Sequence, residues 1–374
     1  MTDTMSQDDL AELRSSVRDF LAAKSPEDRL RSAMESARGW DPVVWSQLTS
    51  QLGVQAMAIP VDYGGDGCGF RELRVVLEEM GRALLPSPFF STVVLASSAL
   101  LASGDAAACA TYLPRIAAGE LTATVAVAET DGLWRTDALH TRAVPAENNW
   151  TVSGRKMFVV DGATADLILV VAATEAGPGL FAVEAEQAGL TRHPMTTLDM
   201  TRHQAVVSFD HTPAVLVGEP GQAAALIEHV LDLAMTGLAA EQCGAARACL
   251  EAATDYARER TQFGRPIGSF QAVKHKCADM LVRVSLADSA SLEAADAADG
   301  VPDAPRLGVA AAVAHSVCSE ALMFVASENI QVHGGIGFTW EHPAHLYFRR
   351  AKASQLCFGG PAVYHERVLQ AFGI

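Results

Sequence analysis

Apolar residues recur at helical spacing through the first third of the chain. They give way to short β-branched runs in the middle and return to helical spacing to the end. In the first region, Asp8 to Leu21 carries apolar positions behind an acidic start, and Arg71 to Leu85 places Leu73, Val76, Leu77 and Met80 on one face. The glycine-rich stretch Tyr63 to Gly69 marks a loop before the second of these helices. In the middle, Thr122–Ala128, Trp150–Ser153, Met157–Val160, Leu167–Val171 and Ala205–Phe209 read as strands. The turn residues at Glu147–Asn149, Asp161–Gly162 and Gly177–Gly179 separate them. This pattern predicts a small antiparallel β domain, a barrel or a sandwich. Three long helices are then predicted over Ala223–Arg260, Phe270–Ala298 and Arg306–Val332, with Gly264 and Pro266 past the end of the first and a turn at Val301–Pro305. The expected domains are residues 1–118, helical; 119–220, β; and 221–374, a helical bundle.

Composition narrows the function classes. A chain of 374 residues with 49% hydrophobic and 19% charged residues has enough apolar surface for two or three well-packed domains or extensive subunit contacts. Its net charge of −16, without a basic cluster, argues against general nucleic-acid binding. Any phosphorylated ligand would have to be held by a few local cations. Seven scattered cysteines with no C-x-x-C pair argue against a disulfide framework and a zinc site, so no metal is expected. The acidic, polar N-terminus does not read as a signal peptide, and no apolar run reads as a membrane span. These features lead to the expectation of a cytoplasmic, soluble protein.

Two segments about seventy residues apart carry the candidate chemistry: Arg260-Thr-Gln-Phe-Gly-Arg-Pro-Ile267 and Gln331-Val-His-Gly-Gly-Ile-Gly-Phe-Thr-Trp-Glu-His342. Each sets polar side chains beside glycines or a proline at a helix end, where bare N–H groups and a guanidinium suit a diphosphate. Neither is a Walker loop or a G-x-G-x-x-G fingerprint. The pair, with the helical–β–helical order, resembles the acyl-CoA dehydrogenase family. That resemblance implies an α+β fold: N-terminal helices, a middle antiparallel β domain and a C-terminal four-helix bundle, assembled as a tetramer. It also implies FAD at a subunit interface, an acyl-CoA substrate and electron-transfer flavoprotein as acceptor. By the same resemblance, Arg260, Gln262, Phe263, Gln271, Gln331, Gly334 and Gly335 would face the diphosphate and adenosine side.

The ring side departs from the family pattern. Where the family has Thr-Glu-Pro followed by Gly-Ser-Asp, this chain reads Ala128-Glu-Thr-Asp-Gly-Leu-Trp134, which keeps only Glu129. In the next motif, Lys156-Met-Phe-Val-Val-Asp-Gly162, Val160 replaces a threonine and cannot offer its hydroxyl to the flavin. Glu129 and Val160 are therefore the ring-side cofactor candidates. Acyl-CoA dehydrogenation also requires a carboxylate to remove the α-proton. The two family positions for it hold Phe358 and, counting back from Phe263-Gly264, Ala234. Glu241 lies two turns after Ala234, on the same face but displaced by about 10 Å along the axis. It reads either as a relocated base or as a structural carboxylate.

Three functions stay open on the sequence. The chain resembles actinobacterial members that pair as unlike subunits, which implies a base-less subunit of a heteromeric enzyme, with bulky thioesters such as steroid side chains as substrates. A self-sufficient homo-oligomeric dehydrogenase using Glu241 is the second. A non-catalytic FAD- or CoA-binding homologue is the third.

Overall fold

A computed structural model describes residues 5–147, 149–301 and 306–374. Beyond Val301, the turn expected at Val301–Pro305 lies outside the described residues, as does the middle residue of the turn at Glu147–Asn149. Among the described residues the helices are α1 (Gln7–Lys24), α2 (Glu27–Glu35), α3 (Pro42–Gln47), α4 (Phe70–Arg82), α5 (Ser98–Ala102), α6 (Ala106–Ala117), α7 (Ala223–Glu259), α8 (Gln271–Ala298), α9 (Leu307–His333), α10 (Ala344–Leu356) and α11 (Pro361–Ala371). The strands of the middle region are β1 (Ala123–Ala126), β2 (Arg142–Ala146), β3 (Asn149–Val160), β4 (Leu167–Thr174), β5 (Gly177–Glu184), β6 (Leu190–Pro194) and β7 (Gln204–Val217). The element order is helical, β, helical. The chain forms two compact units: residues 32–69 with 86–234, and residues 5–31 with 70–85 and 235–374.

In the first unit, strands β2, β3, β7, β5 and β4 close a ring, with β6 added on β7 and β1 on β4. Closure removes the open edges that a small sheet would otherwise expose. Val152, Val159, Ile168, Val170, Phe181, Val183, Val207 and Phe209 fill its interior. The sheet is mixed rather than wholly antiparallel, because β1 runs parallel to β4 over four residue pairs and β2 meets β4 in parallel at one. The two short runs expected over 150–153 and 157–160 are one strand: the polar residues between them continue the ladder on β7, with register shifts after Val152 and Lys156. Gly177-Pro-Gly179, read above as a turn, opens β5, and Gly177 pairs with Thr174. Strands β2 and β6 were not expected, because they are largely exposed and carry little apolar signal. Asp105 ties helix to barrel, capping α6 through Ala107 and Ala108 at 3.0 Å each and accepting from Gly218 N at 3.0 Å.

In the second unit, α9 packs against α8, α10 and α11. Alanine makes this closeness possible: Ala239, Ala287, Ala294, Ala310, Ala314 and Ala321 form one buried layer with Cys243 and Cys318. Helices α4 and α7 cross at backbone contact. A Cβ on Gly81 would lie 2.0 Å from the Glu241 carbonyl oxygen, and one on Gly244 would lie 1.8 Å from that of Glu78. The expectation of no span-length apolar run is corrected. Ala223–Glu259 and Leu307–Phe338 are long and apolar enough to cross a membrane by length and composition. Their most apolar windows are 61% and 67% buried inside the protein, as core helices of a bundle are.

Candidate functional site

The two segments singled out above meet in the second unit. Helix α7 ends where Arg260 N donates to Tyr256 O at 2.8 Å. The chain then reverses through a two-residue turn: Thr261–Gln262 pairs with Arg265–Pro266, and Phe263 and Gly264 have φ of +53° and +76°. Positive φ at both central residues is the type I′ hairpin, which suits glycine at the second. It thrusts the Phe263 ring into solvent, 92% exposed, nearly at right angles to Phe270 with 6.1 Å between ring centroids. The Arg260 guanidinium is exposed and, among the described residues, has no hydrogen-bond or ion-pair partner. Gln262, two residues on, and Gln271, which opens α8, are exposed as well.

Helix α9 ends at His333, and Gly334 leaves it at φ +65° and ψ −141°, a conformation open to glycine. Gly334 and Gly335 start a 3₁₀ turn, and nothing lies within 4 Å of where their Cβ atoms would be. Gln331 is exposed on the last turn of α9. A stack of rings joins this turn to the end of α7, with Tyr256 4.4 Å from His333 and His333 4.3 Å from His342. Ile267 and Val332 pack in the same apolar cluster as Tyr256. A free guanidinium, exposed amides and two glycines with open space above them fit a diphosphate. Tyr256 was not singled out from sequence, because an aromatic residue on a helical stripe reads as core; His342 closes the second segment, but its ring contact with His333 has no local signal.

Glu129 and Val160 lie in the barrel unit, and both are buried. The Glu129 carboxylate accepts from Lys156 Nζ at 2.9 Å, Thr141 N at 2.9 Å and His140 N at 2.8 Å. Lys156 is fully buried and also donates to Val127 O at 2.9 Å. Burial pushes the carboxyl up, but the bonds from Lys156, Thr141 and His140 outweigh it and bring Glu129 down to about 2. Burial likewise lowers the Lys156 ammonium, to about 8, although the carboxylate beside it works the other way. Val160 offers only its carbonyl, which accepts from Thr124 Oγ1 at 2.6 Å. Arg155 and Lys156 stand side by side before the apolar run, and strand alternation alone sends one of the two inward; the structure shows it is Lys156.

At the positions where a base was sought, Ala234 is fully buried within α7, and Phe358 is buried with φ +63°. Glu241 is buried as well, and its Oε2 lies 3.5 Å from Nη1 of the buried Arg350. Its backbone forms the crossing with Gly81. Sequence reading had not paired Glu241 with Arg350, which lies 109 positions further along the chain.

Family models for the N-terminal, middle and C-terminal domains of acyl-CoA dehydrogenase match residues 7–120, 124–211 and 224–372. The acyl-CoA dehydrogenase IpdE2 of Mycolicibacterium smegmatis is 36% identical over 93% of this chain and 94% of its own length. Among solved structures, a variant of the Tcur3481–Tcur3483 steroid ACAD is 33% identical, with a TM-score of 0.86 over 98% of each chain. The ChsE4–ChsE5 complex from Mycobacterium tuberculosis is 26% identical, with a TM-score of 0.89 over 100% of this chain and 99% of that one.

Proposed function

The chain belongs to the acyl-CoA dehydrogenase family, oxidoreductases acting on CH–CH groups, and from that premise we propose that it is the base-less subunit of a heteromeric enzyme. The observation that carries the reading is Phe358, a buried side chain without a proton acceptor, standing where the resemblance calls for the glutamate. Ala234 fills the other family position with a methyl group. Glu241 is engaged by Arg350 at 3.5 Å and acts as a structural carboxylate holding α7 to α10. Removing one partner of such a buried pair leaves an uncompensated charge, so a base there would give up its own support at each proton transfer.

The residues present fit FAD. Arg260 would meet the diphosphate with Gln262, Phe263 and Gln271 around it, and Gln331, Gly334 and Gly335 would receive the adenosine side. FAD, when bound, supplies the hydride acceptor for the β-carbon. On the ring side, Lys156 fixes Glu129 and hence the segment 127–129, while Val160 presents an apolar wall. The unlike partner supplies the carboxylate. Two relatives named as pairs of chains, one of them a steroid ACAD, support both the pairing and a bulky polycyclic thioester as substrate. Electrons then pass to an electron-transfer flavoprotein. None of the seven cysteines is in a disulfide, which fits a reducing, cytoplasmic setting.

Anaerobic mixing of the flavin-loaded chain with saturated acyl-CoAs, steroid side-chain thioesters included, tests this. The chain alone should leave the flavin absorbance unchanged, and adding the partner should bleach it. Rapid bleaching by the chain alone overturns the reading. Loss of that bleaching in Glu241→Gln would make Glu241 the base.

A further inference from the structure

We infer that His315 and Tyr364 are positioning residues that lock the Phe358–Gly360 turn, so that Phe358 forms a fixed wall on the acyl side of this chain's pocket and decides which acyl groups enter. The inference rests on the proposed reading, in which Phe358 stands at the family's base position.

Helix α10 ends at Cys357, whose N–H closes on Ala353 O and Ser354 O. The next residue, Phe358, has φ +63°, a region bulky side chains avoid because Cβ crowds the carbonyl. Such a conformation persists only where the surroundings over-determine it. Four contacts do so here. The Tyr364 hydroxyl donates to Phe358 O. His315 Nε2 donates to Gly359 O at 3.1 Å. Gly359 N closes back on Leu356 O at 3.3 Å. The His315 ring stands edge-on to Tyr364, 5.0 Å between centroids and 78° between planes. Gly359 itself has φ +113°, and a Cβ there would come within 3.4 Å of the Tyr364 hydroxyl, so the residue after Phe358 is shaped to the lock as well.

The histidine is committed to this contact. A carbonyl can only accept, so Nε2 carries the proton, and Nδ1 is left bare. Nδ1 is buried and has no partner among the described residues. His315 is fully buried, and its one donor goes to the turn after Phe358. A histidine kept only to fill space would be replaced at lower cost by an apolar residue of similar size. The lock thus draws on three elements, α9, α10 and α11, and its product is one ring held still. A wall of that kind is set by backbone geometry and not by rotamer choice alone, so it discriminates between acyl shapes without adapting to them.

Calorimetric titration of the oligomer as purified, with butyryl-CoA and with a bulky polycyclic acyl-CoA, tests the lock. Hydrogen exchange over residues 357–362 is read in parallel. Phe358→Ala should favour the bulky thioester over butyryl-CoA by about tenfold. Tyr364→Phe keeps the ring and loses the hydroxyl. It should raise exchange in the turn and shift selectivity the same way by about threefold, adding nothing to Phe358→Ala. His315→Ala should do likewise, and His315→Gln, which retains a donor, should restore the parent preference. If Phe358→Ala shifts selectivity while Tyr364→Phe and His315→Ala change neither exchange nor selectivity, the lock is overturned and the assignment of Phe358 survives. If Phe358→Ala itself leaves both affinities unchanged, Phe358 lies outside the pocket, and the base-position reading fails with the lock.

Discussion

Lys156 and Glu129 form a buried ion pair that decides the local order of the barrel segment Val127–Glu129. The lysine is fully buried, and both its hydrogen bonds go to the segment Val127–Glu129. Lys156→Met should destabilise the protein by about 3–5 kcal/mol, because it leaves the carboxylate buried without its cation. Lys156→Met with Glu129→Gln should recover much of that loss. Denaturant midpoints of the two variants check both statements. The pH signs follow from the shifts. Glu129 sits below its ordinary value, so its contribution is present above pH 4.5 and is lost as pH falls toward 2. Lys156 sits below its ordinary 10.5, so the unfolded chain binds the extra proton and stability rises with pH between about 8 and 10.5. The sequence pointed to Glu129 through its motif, but not to the pair. A strand's alternation assigns a side chain to a face, whereas the partner across the fold depends on bulges in β3 that leave no local signal.

Among the elements, the long helices were legible to within a residue or two, since their apolar periodicity is carried by many positions at once. Short or exposed strands such as β2 and β6 were not, because cross-strand pairing and not local composition holds them. The close crossing of α4 and α7 was also invisible in sequence, as a glycine in a helix marks a weak point as readily as a contact. Structure separates the cases. Gly244→Ala should destabilise by about 1–3 kcal/mol or more, since the new methyl meets the Glu78 backbone, which cannot move aside as a side chain can. Gly335→Ala has open space around it and should leave folding unchanged within about 0.5 kcal/mol. Urea titrations would separate the two, and a change in midpoint without a change in slope would assign the effect to the folded state. Equal midpoints for the two variants would sink the crossing argument.

At the scale of the whole molecule, the proposal makes a statement about stoichiometry. On the proposed reading this chain brings the diphosphate-side residues and no base, so an unlike pair would hold one complete flavin site. A complex purified with its partner should release about one FAD per two chains, read by quantitative flavin extraction from material of defined mass. One FAD per chain would refute the split site. That the segments bearing Ile267 and Val332 share one apolar cluster was legible only through family resemblance. Seventy residues separate the motifs, and what joins them, the Tyr256–His333–His342 ring stack, is made by contacts that no local spacing reveals. The parallel pairing of β1 with β4 escaped for the same reason: it joins strands about forty residues apart through no turn of their own.

The burial of Lys156 also governs how the protein can be handled. The chain has five lysines, and Lys24, Lys274, Lys276 and Lys352 are exposed or half-buried. Only Lys156 has no solvent access, and burial lowers its ammonium. The lysine side chains that amine-directed dyes, cross-linkers and activated resins can reach therefore lie on helices α1, α8 and α10. The barrel carries no reachable lysine amine, so immobilisation through lysine leaves its segment Val127–Glu129 chemically untouched.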